Sequence, residues 1–244
     1  MTAGTDGGNP TGRSMPSAID AATAVRDGSL AALELVEDCL ARIAAGDDRL
    51  NAFVHVDADG ARRAAEAIDA RVAAGEADLL GPLAGVPFGV KDLEDCEGMP
   101  TSHGSVLYQG GPPVAADSTH VARLRAAGAI PIGKTAAPEF GTLQYTYTKA
   151  WGATGNPWDP ERTPGGSSGG TAAAVAAGMI PFGTASDGGG STRIPAGFTG
   201  LVGLKPSHGR IPHPDVDPSE TACYGALTTT VSDSARHLDV TAGP

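Results

Sequence analysis

Two short stretches set serines among glycines: "TPGGSSGG" at residues 163–170 and "SDGGGSTR" at residues 186–193. Glycine has no side chain to bury and loses the most entropy on ordering, so glycines crowded around hydroxyls answer a need other than packing. A serine attacks a carbonyl once a base takes its proton. In the second stretch Gly188, Gly189 and Gly190 lead into Ser191. Consecutive backbone N–H groups that converge on one point are what a tetrahedral oxyanion requires. Asp187 and Arg193 flank this loop and are placed to pair across it, holding its shape. Taken alone, such a loop reads more plainly as a tight turn or an anion nest. The pair of loops favours chemistry, because one helix and one strand between them let both face a single sheet edge.

The base is harder to find. Six histidines (His55, His103, His120, His208, His213 and His237) sit in no recognisable catalytic context. The four lysines are Lys91, Lys134, Lys149 and Lys205. A lysine becomes a base when burial disfavours its ammonium form. Lys91, closing the apolar run in "GPLAGVPFGVKDL" (81–93), is the one most readily drawn into a dry interior, although a solvated strand-end lysine is the plainer reading of its spacing. The residues alone thus reach a Ser/Lys hydrolase and leave open which serine attacks.

Two motifs mislead. "GAIPIGKT" (128–135) fits the phosphate-loop pattern, but that loop follows a strand and offers open N–H donors, whereas here a helix precedes Gly128 and "IPI" is strand material. "GGSSG" (165–169) fits the nucleophile elbow, but its lead-in "WDPERTP" is broken by prolines and turn residues instead of forming a strand.

The elements that must position these loops follow from periodicity. "SAIDAATAVRDGSLAALELVEDCLARIAA" reads as two helices broken at "DGS", with Ser29 as the N-cap of the second, and "DADGARRAAEAIDARVAAGE" as a third. "STHVARLRAAGAIPIGKT" reads as helix, turn and strand, capped by Ser118 or Thr119. "TAAAVAAGMIPFGTASDGGGS" repeats that order and ends in the second glycine loop. Helices alternating with short apolar strands argue for an α/β sheet. No internal repeat or domain linker is visible.

Composition narrows the partners. With 17 basic against 28 acidic residues the net charge is −11, which argues against nucleic acid or an anionic membrane. No apolar run reaches the roughly 18 residues of a membrane span, and "MTAGTDGGNPTGRS" has no signal-peptide core, so residues 1–14 read as a flexible tail. Cys39, Cys96 and Cys223 are widely spaced, which fits a reducing compartment and a cytoplasmic protein better than a disulfide framework or a zinc site.

At this point the residues resemble a known family, the amidase signature hydrolases. The stretch from "GGSSGGTAAAV" to "GLVGLKPSHGRIP" resembles its signature, "GPLAGVPFGVKDL" its lysine motif, and "HVARLRAAGAIPIGKTAAPEFG" the segment between them. The resemblance covers about residues 15–244, read as one domain. It implies a mixed β-sheet with helices on both faces, and a Ser–Ser–Lys triad in which Ser191 is the nucleophile, Ser167 the bridging serine and Lys91 the base. It further implies a cis Gly166–Ser167 peptide, support from Ser168, and an oxyanion site on the N–H groups of Gly188, Gly189, Gly190 and Ser191. No metal or cofactor is called for. The implied substrates are small or aryl amides, with esters and carbamates (urethanes) as further candidates. An amidotransferase subunit that releases ammonia from glutamine, and a non-catalytic fragment, are the alternatives. The end of the chain resembles a mid-length helix of family members, so the fold is expected to be incomplete here and to need a C-terminal half. A homodimer stays open.

Overall fold

The computed structural model describes residues 14–213 and 220–243, so the tail expected at 1–14 lies, apart from Ser14, outside the described residues. In chain order the elements are α1 (Ala18–Arg26), α2 (Ala32–Leu50), β1 (Phe53–Val56), α3 (Ala58–Ala73), β2 (Pro87–Lys91), α4 (Thr119–Ala126), β3 (Ile130–Thr135), β4 (Tyr147–Thr148), β5 (Gly152–Ala153), α5 (Gly169–Ala176), β6 (Phe182–Asp187), α6 (Arg193–Thr199), β7 (Val202–Gly203), β8 (Cys223–Thr228) and α7 (Val231–Thr241).

Helix α2 forms because Leu35, Val36, Cys39 and Ile43 fall on one stripe, and all four are buried. Its start corrects the sequence reading. The helix begins at Ala32, and Ser29 does not cap it: the Ser29 hydroxyl donates back to Ala24 O at 3.3 Å instead. The free N–H groups of Ala32 and Leu33 donate to the Asp69 carboxylate of α3, at 2.7 and 3.0 Å. A carboxylate accepts two donors and its charge suits a helix N-terminus, so Asp69 is the stronger cap. Helix α4 is capped by Ser118, whose hydroxyl accepts from Val121 N–H.

Six strands form one mixed sheet in the order β1-β3-β2-β6-β8-β7. Strand β2 lies parallel to both β3 and β6, while β1, β8 and β7 pair antiparallel with their neighbours. All five residues of β2 are buried, as a central parallel strand covered on both faces demands. Side chains alternate between the faces of a strand. On one face Ala185 packs with Ala172 of α5 and Ala196 of α6. On the other Tyr224, directly across from Ser186, stacks on His120 of α4, which touches His237 of α7. The sheet is therefore helix-covered on both sides. Helix α1 docks on α7 as well: Ile19 N–H donates to Asp233 Oδ1 at 2.9 Å across 214 residues of sequence.

The supposed phosphate loop is strand β3, with Lys134 fully buried on Asp92 (3.2 Å), Thr101 Oγ1 (2.8 Å) and Pro100 O (3.3 Å). It braces the turn after Lys91 and has no open face for a phosphate.

Candidate active site

The carboxyl ends of β2 and β6 and the start of α5 meet at one edge of the sheet, where α/β folds place their ligands. Each brings one of the sequence-derived residues. Strand β2 ends on Lys91, whose side chain is completely buried. The turn before α5 carries Ser167, after a cis Gly166–Ser167 peptide, and the loop after β6 carries Ser191.

Lys91 Nζ lies 2.8 Å from Ser167 Oγ and 2.9 Å from Ser186 Oγ, with Ser186 O at 3.5 Å. Burial pulls the Lys91 ammonium down to about 7, against the opposing charges of Glu94 and Asp187. A neutral amine near neutral pH can take a proton from the hydroxyl beside it. Ser167 and Ser191 line one cavity of about 320 Å³ together with Ser186. Ser168 ties the two serine loops together: its N–H donates to Ser191 O at 3.2 Å and its hydroxyl accepts from Ser186 N–H at 3.4 Å.

The glycines have steric reasons. A Cβ on Gly166 would lie 2.7 Å from Tyr145 N. Gly190 has φ +118°, a conformation that strains any L side chain, and a Cβ there would also displace the flexible end of Ile194, 2.7 Å away.

Asp187 organises the second loop. Its carboxylate accepts from the N–H groups of Gly190 (2.7 Å), Thr192 (3.2 Å) and Arg193 (3.3 Å) and pairs with the Arg193 guanidinium at 2.9 Å twice. Burial works against its ionisation, yet these donors, the guanidinium foremost, hold it at about 2. One consequence corrects the sequence reading. The Gly190 N–H points at Asp187, so it is committed to shaping the loop, and the donors left as candidates for an oxyanion are those of Gly188, Gly189 and Ser191.

Sequence reasoning missed several residues of this cavity. Ser186 opens the quoted loop, and as the penultimate residue of a strand it falls on the face opposite Asp187, a signal that alternation carried. Glu94, Phe140, His213 and Tyr224 also line the cavity, and only the fold brings them there. Phe140 holds φ +50°, an uncommon conformation for a bulky residue, and stacks on His103 at 6.1 Å.

Known proteins share this arrangement of chain. The family model described as Amidase matches residues 34–244. A glutamyl-tRNA(Gln) amidotransferase subunit of Salinispora arenicola (strain CNS-205) is 51% identical over 193 residues, 79% of this chain and 39% of that protein. A Mycobacterium tuberculosis (strain ATCC 25618 / H37Rv) protein designated as an amidase, AmiB2, is 46% identical over 238 residues, 96% of this chain and 50% of that protein. Among solved structures, a bacterial aryl acylamidase of the amidase signature enzymes is 34% identical with a TM-score of 0.89, covering 95% of this chain and 48% of that one. The chain spans half or less of the length of each relative. A family match over most of the chain, joined to that likeness in fold, places this protein in the amidase signature family.

Proposed function

We propose that this chain carries the catalytic centre of a serine hydrolase that cleaves the C–N bond of small or aryl amides through an acyl-enzyme on Ser191. Esters and carbamates, including urethanes, pass through a similar tetrahedral state and fall within the same reach. The observation that carries the reading is the buried contact of Lys91 Nζ with Ser167 Oγ at 2.8 Å, on a cavity that Ser191 shares.

Neutral Lys91 takes a proton from Ser167, which takes the proton of Ser191 as that hydroxyl attacks the carbonyl carbon. The oxyanion rests on N–H groups of Gly188, Gly189 and Ser191, in a loop that Asp187 and Arg193 hold rigid. Ser167 returns a proton to the leaving nitrogen, the C–N bond breaks, and water opens the ester by the same relay. Every proton moves between groups of this chain, the substrate and water.

The 51% identity to an amidotransferase component supports a second reading, in which the same centre releases ammonia from glutamine for a partner. The match to AmiB2 across 96% of the chain, and the likeness in fold to an aryl acylamidase, support the stand-alone hydrolase. This chain spans half or less of each relative, so the substrates of a whole protein stay part of the proposal. The three cysteines, all buried free thiols, suit a reducing cytoplasm. Among the described residues no helix is long and apolar enough to cross a membrane.

The test is a fluorophosphonate reaction on the full-length protein that carries this chain. An adduct on Ser191, absent in Lys91→Ala, supports the relay, whereas a folded protein that takes no adduct overturns it. Glutaminase activity with a tRNA-dependent partner, and none on simple amides, would move the assignment to the second reading.

A further inference from the structure

Helix α7 is seated by polar groups. Its buried positions are Asp233, Ser234, His237 and Thr241, and Val240 is only partly buried against the core. Helix α1, which it meets, buries Ala18, Ala21, Ala22 and Val25 instead. A helix docked without a fully buried apolar side chain gains little from hydrophobic burial, so its hydrogen bonds decide whether it stays. Asp233 Oδ1 accepts the Ile19 N–H of α1, while Oδ2 is buried with no hydrogen-bond partner among the described residues. Arg123 of α4 donates to Thr241 O at 2.7 Å and to Gly243 O at 3.0 Å. Between these two ends lies His237, fully packed between helix and strand.

His237 Nε2 lies 2.7 Å from His120 Nε2, and His120 Nδ1 lies 2.7 Å from Glu94 Oε2. All three side chains are buried. Two ring nitrogens at that distance hold one proton between them, since one must donate and the other accept. The chain accommodates a single imidazolium, on His120, which donates to the carboxylate on one side and to His237 on the other. A second proton sets N–H against N–H. Burial, and then the charge of His120, oppose it and hold His237 well below the ordinary histidine range. The other ionisable groups at this seat come from each neighbour in turn. Strand β8 brings Tyr224, stacked on His120 at 5.0 Å, and α4 brings Arg123, which stays charged throughout. Helix α1 brings Ile19 to Asp233, and β7 carries no ionisable residue.

We infer that Glu94, His120 and His237 form an acid-sensitive latch, which seats α7 near neutral pH and lets it open, together with the start of α1, as protons are added. The sign follows from linkage. Above the ordinary histidine value of 6.5, His237 is neutral whether α7 is seated or open, and pH has no effect. Below it, the open form takes a proton that the seated form refuses, so the seat weakens by up to about tenfold per pH unit. The effect reaches the cavity, because His120 is held between His237 and Tyr224, and Tyr224 lines the cavity wall. The latch concerns the seating of a helix and stands whether or not Ser191 forms an acyl-enzyme.

Labelling of Ser191 is no guide here, since protonation of Lys91 slows it over the same range. The test is amide hydrogen exchange of the full-length protein that carries this chain, at pH 7.5 and 5.0, corrected for intrinsic exchange. The expected result is that protection across 231–241 falls on the order of tenfold at pH 5.0, that 18–26 follows it, and that α2 (32–50) keeps its protection. His237→Gln, whose amide still donates or accepts but does not titrate, should show equal protection of α7 at both pH values. A wild-type α7 indifferent to pH overturns the latch, as does a fall that survives in His237→Gln. An equal fall in α2 marks global unfolding and overturns it too. A fall that survives in His237→Gln but vanishes in Asp233→Asn assigns the response to that carboxylate instead. Should His237→Gln fail to fold, His237→Leu replaces it, and the contrast between α7 and α2 in the wild type still decides.

Discussion

Lys91 has to be dry to be a base, and that requirement is measurable. With its folded value near 7, the neutral fraction grows as pH rises to that point. The rate of Ser191 labelling should therefore climb about tenfold per pH unit below 7 and level off above it. Stability follows the same group with a definite sign. Between about 7 and the ordinary lysine value of 10.5 the unfolded chain binds the proton that folded Lys91 has lost. Wild-type stability should rise with pH across that window, and Lys91→Met should lose this contribution while losing labelling by at least about 10²-fold. Urea denaturation at several pH values checks it. Ser186 is the second hydroxyl on Lys91. Ser186→Ala should slow labelling on the order of tenfold, which is what one net hydrogen bond of about 1–1.5 kcal/mol is worth, and Ser186→Thr should restore most of it. At this scale Ser167, Ser191 and Lys91 were legible as candidates because glycines crowd the serines and lysines are few. Their separate roles were not: spacing left open which serine attacks, and the family resemblance supplied that. Glu94, His120 and His237 could not be read at all, since His120 and His237 meet across 117 residues and only the fold makes them neighbours.

Elements were legible where periodicity acts locally and obscure where a distant side chain decides. The strand–loop units ending in Lys91 and Asp187 follow from apolar runs stopped by charge and glycine. The start of α2 does not, because its cap is Asp69, 37 residues away. Asp69→Asn should cost about 1 kcal/mol in thermal or chemical unfolding, within the usual range for losing a cap, with Ser29→Ala close to neutral. The loop after β6 depends on its carboxylate in the same way. Asp187, held at about 2, contributes stability that is present above the ordinary aspartate value and lost as pH falls through about 2. Arg193→Gln should move that acid-side loss to higher pH and slow labelling, since the loop proposed to hold the oxyanion is shaped by the pair. An unchanged acid limb would show that the backbone donors suffice. Gly190→Ala should sharply slow labelling, because φ +118° strains any L side chain in this loop.

Across the whole molecule, large apolar side chains stand in solvent, Phe140 among them on the cavity wall. Leu107 is 80% exposed, and Tyr108 and Phe140 form an edge-on pair at 6.2 Å beside the cavity. Trp158, 68% exposed, is hung by its indole N–H on Thr199 O. Residues 1–244 should therefore bind a hydrophobic dye such as ANS, and unchanged dye fluorescence would show these side chains to be covered in solution. The contact of Ile19 with Asp233 carries a different consequence, one of time. At about 5–20 residues per second, some 10–40 s of synthesis separate the two partners, which lie 214 residues apart. Through that interval the start of α1 has emerged without the helix that Ile19 docks on. The first helix made is among the last to be seated, and the nascent chain is open to chaperones and proteases until the ribosome has passed α7.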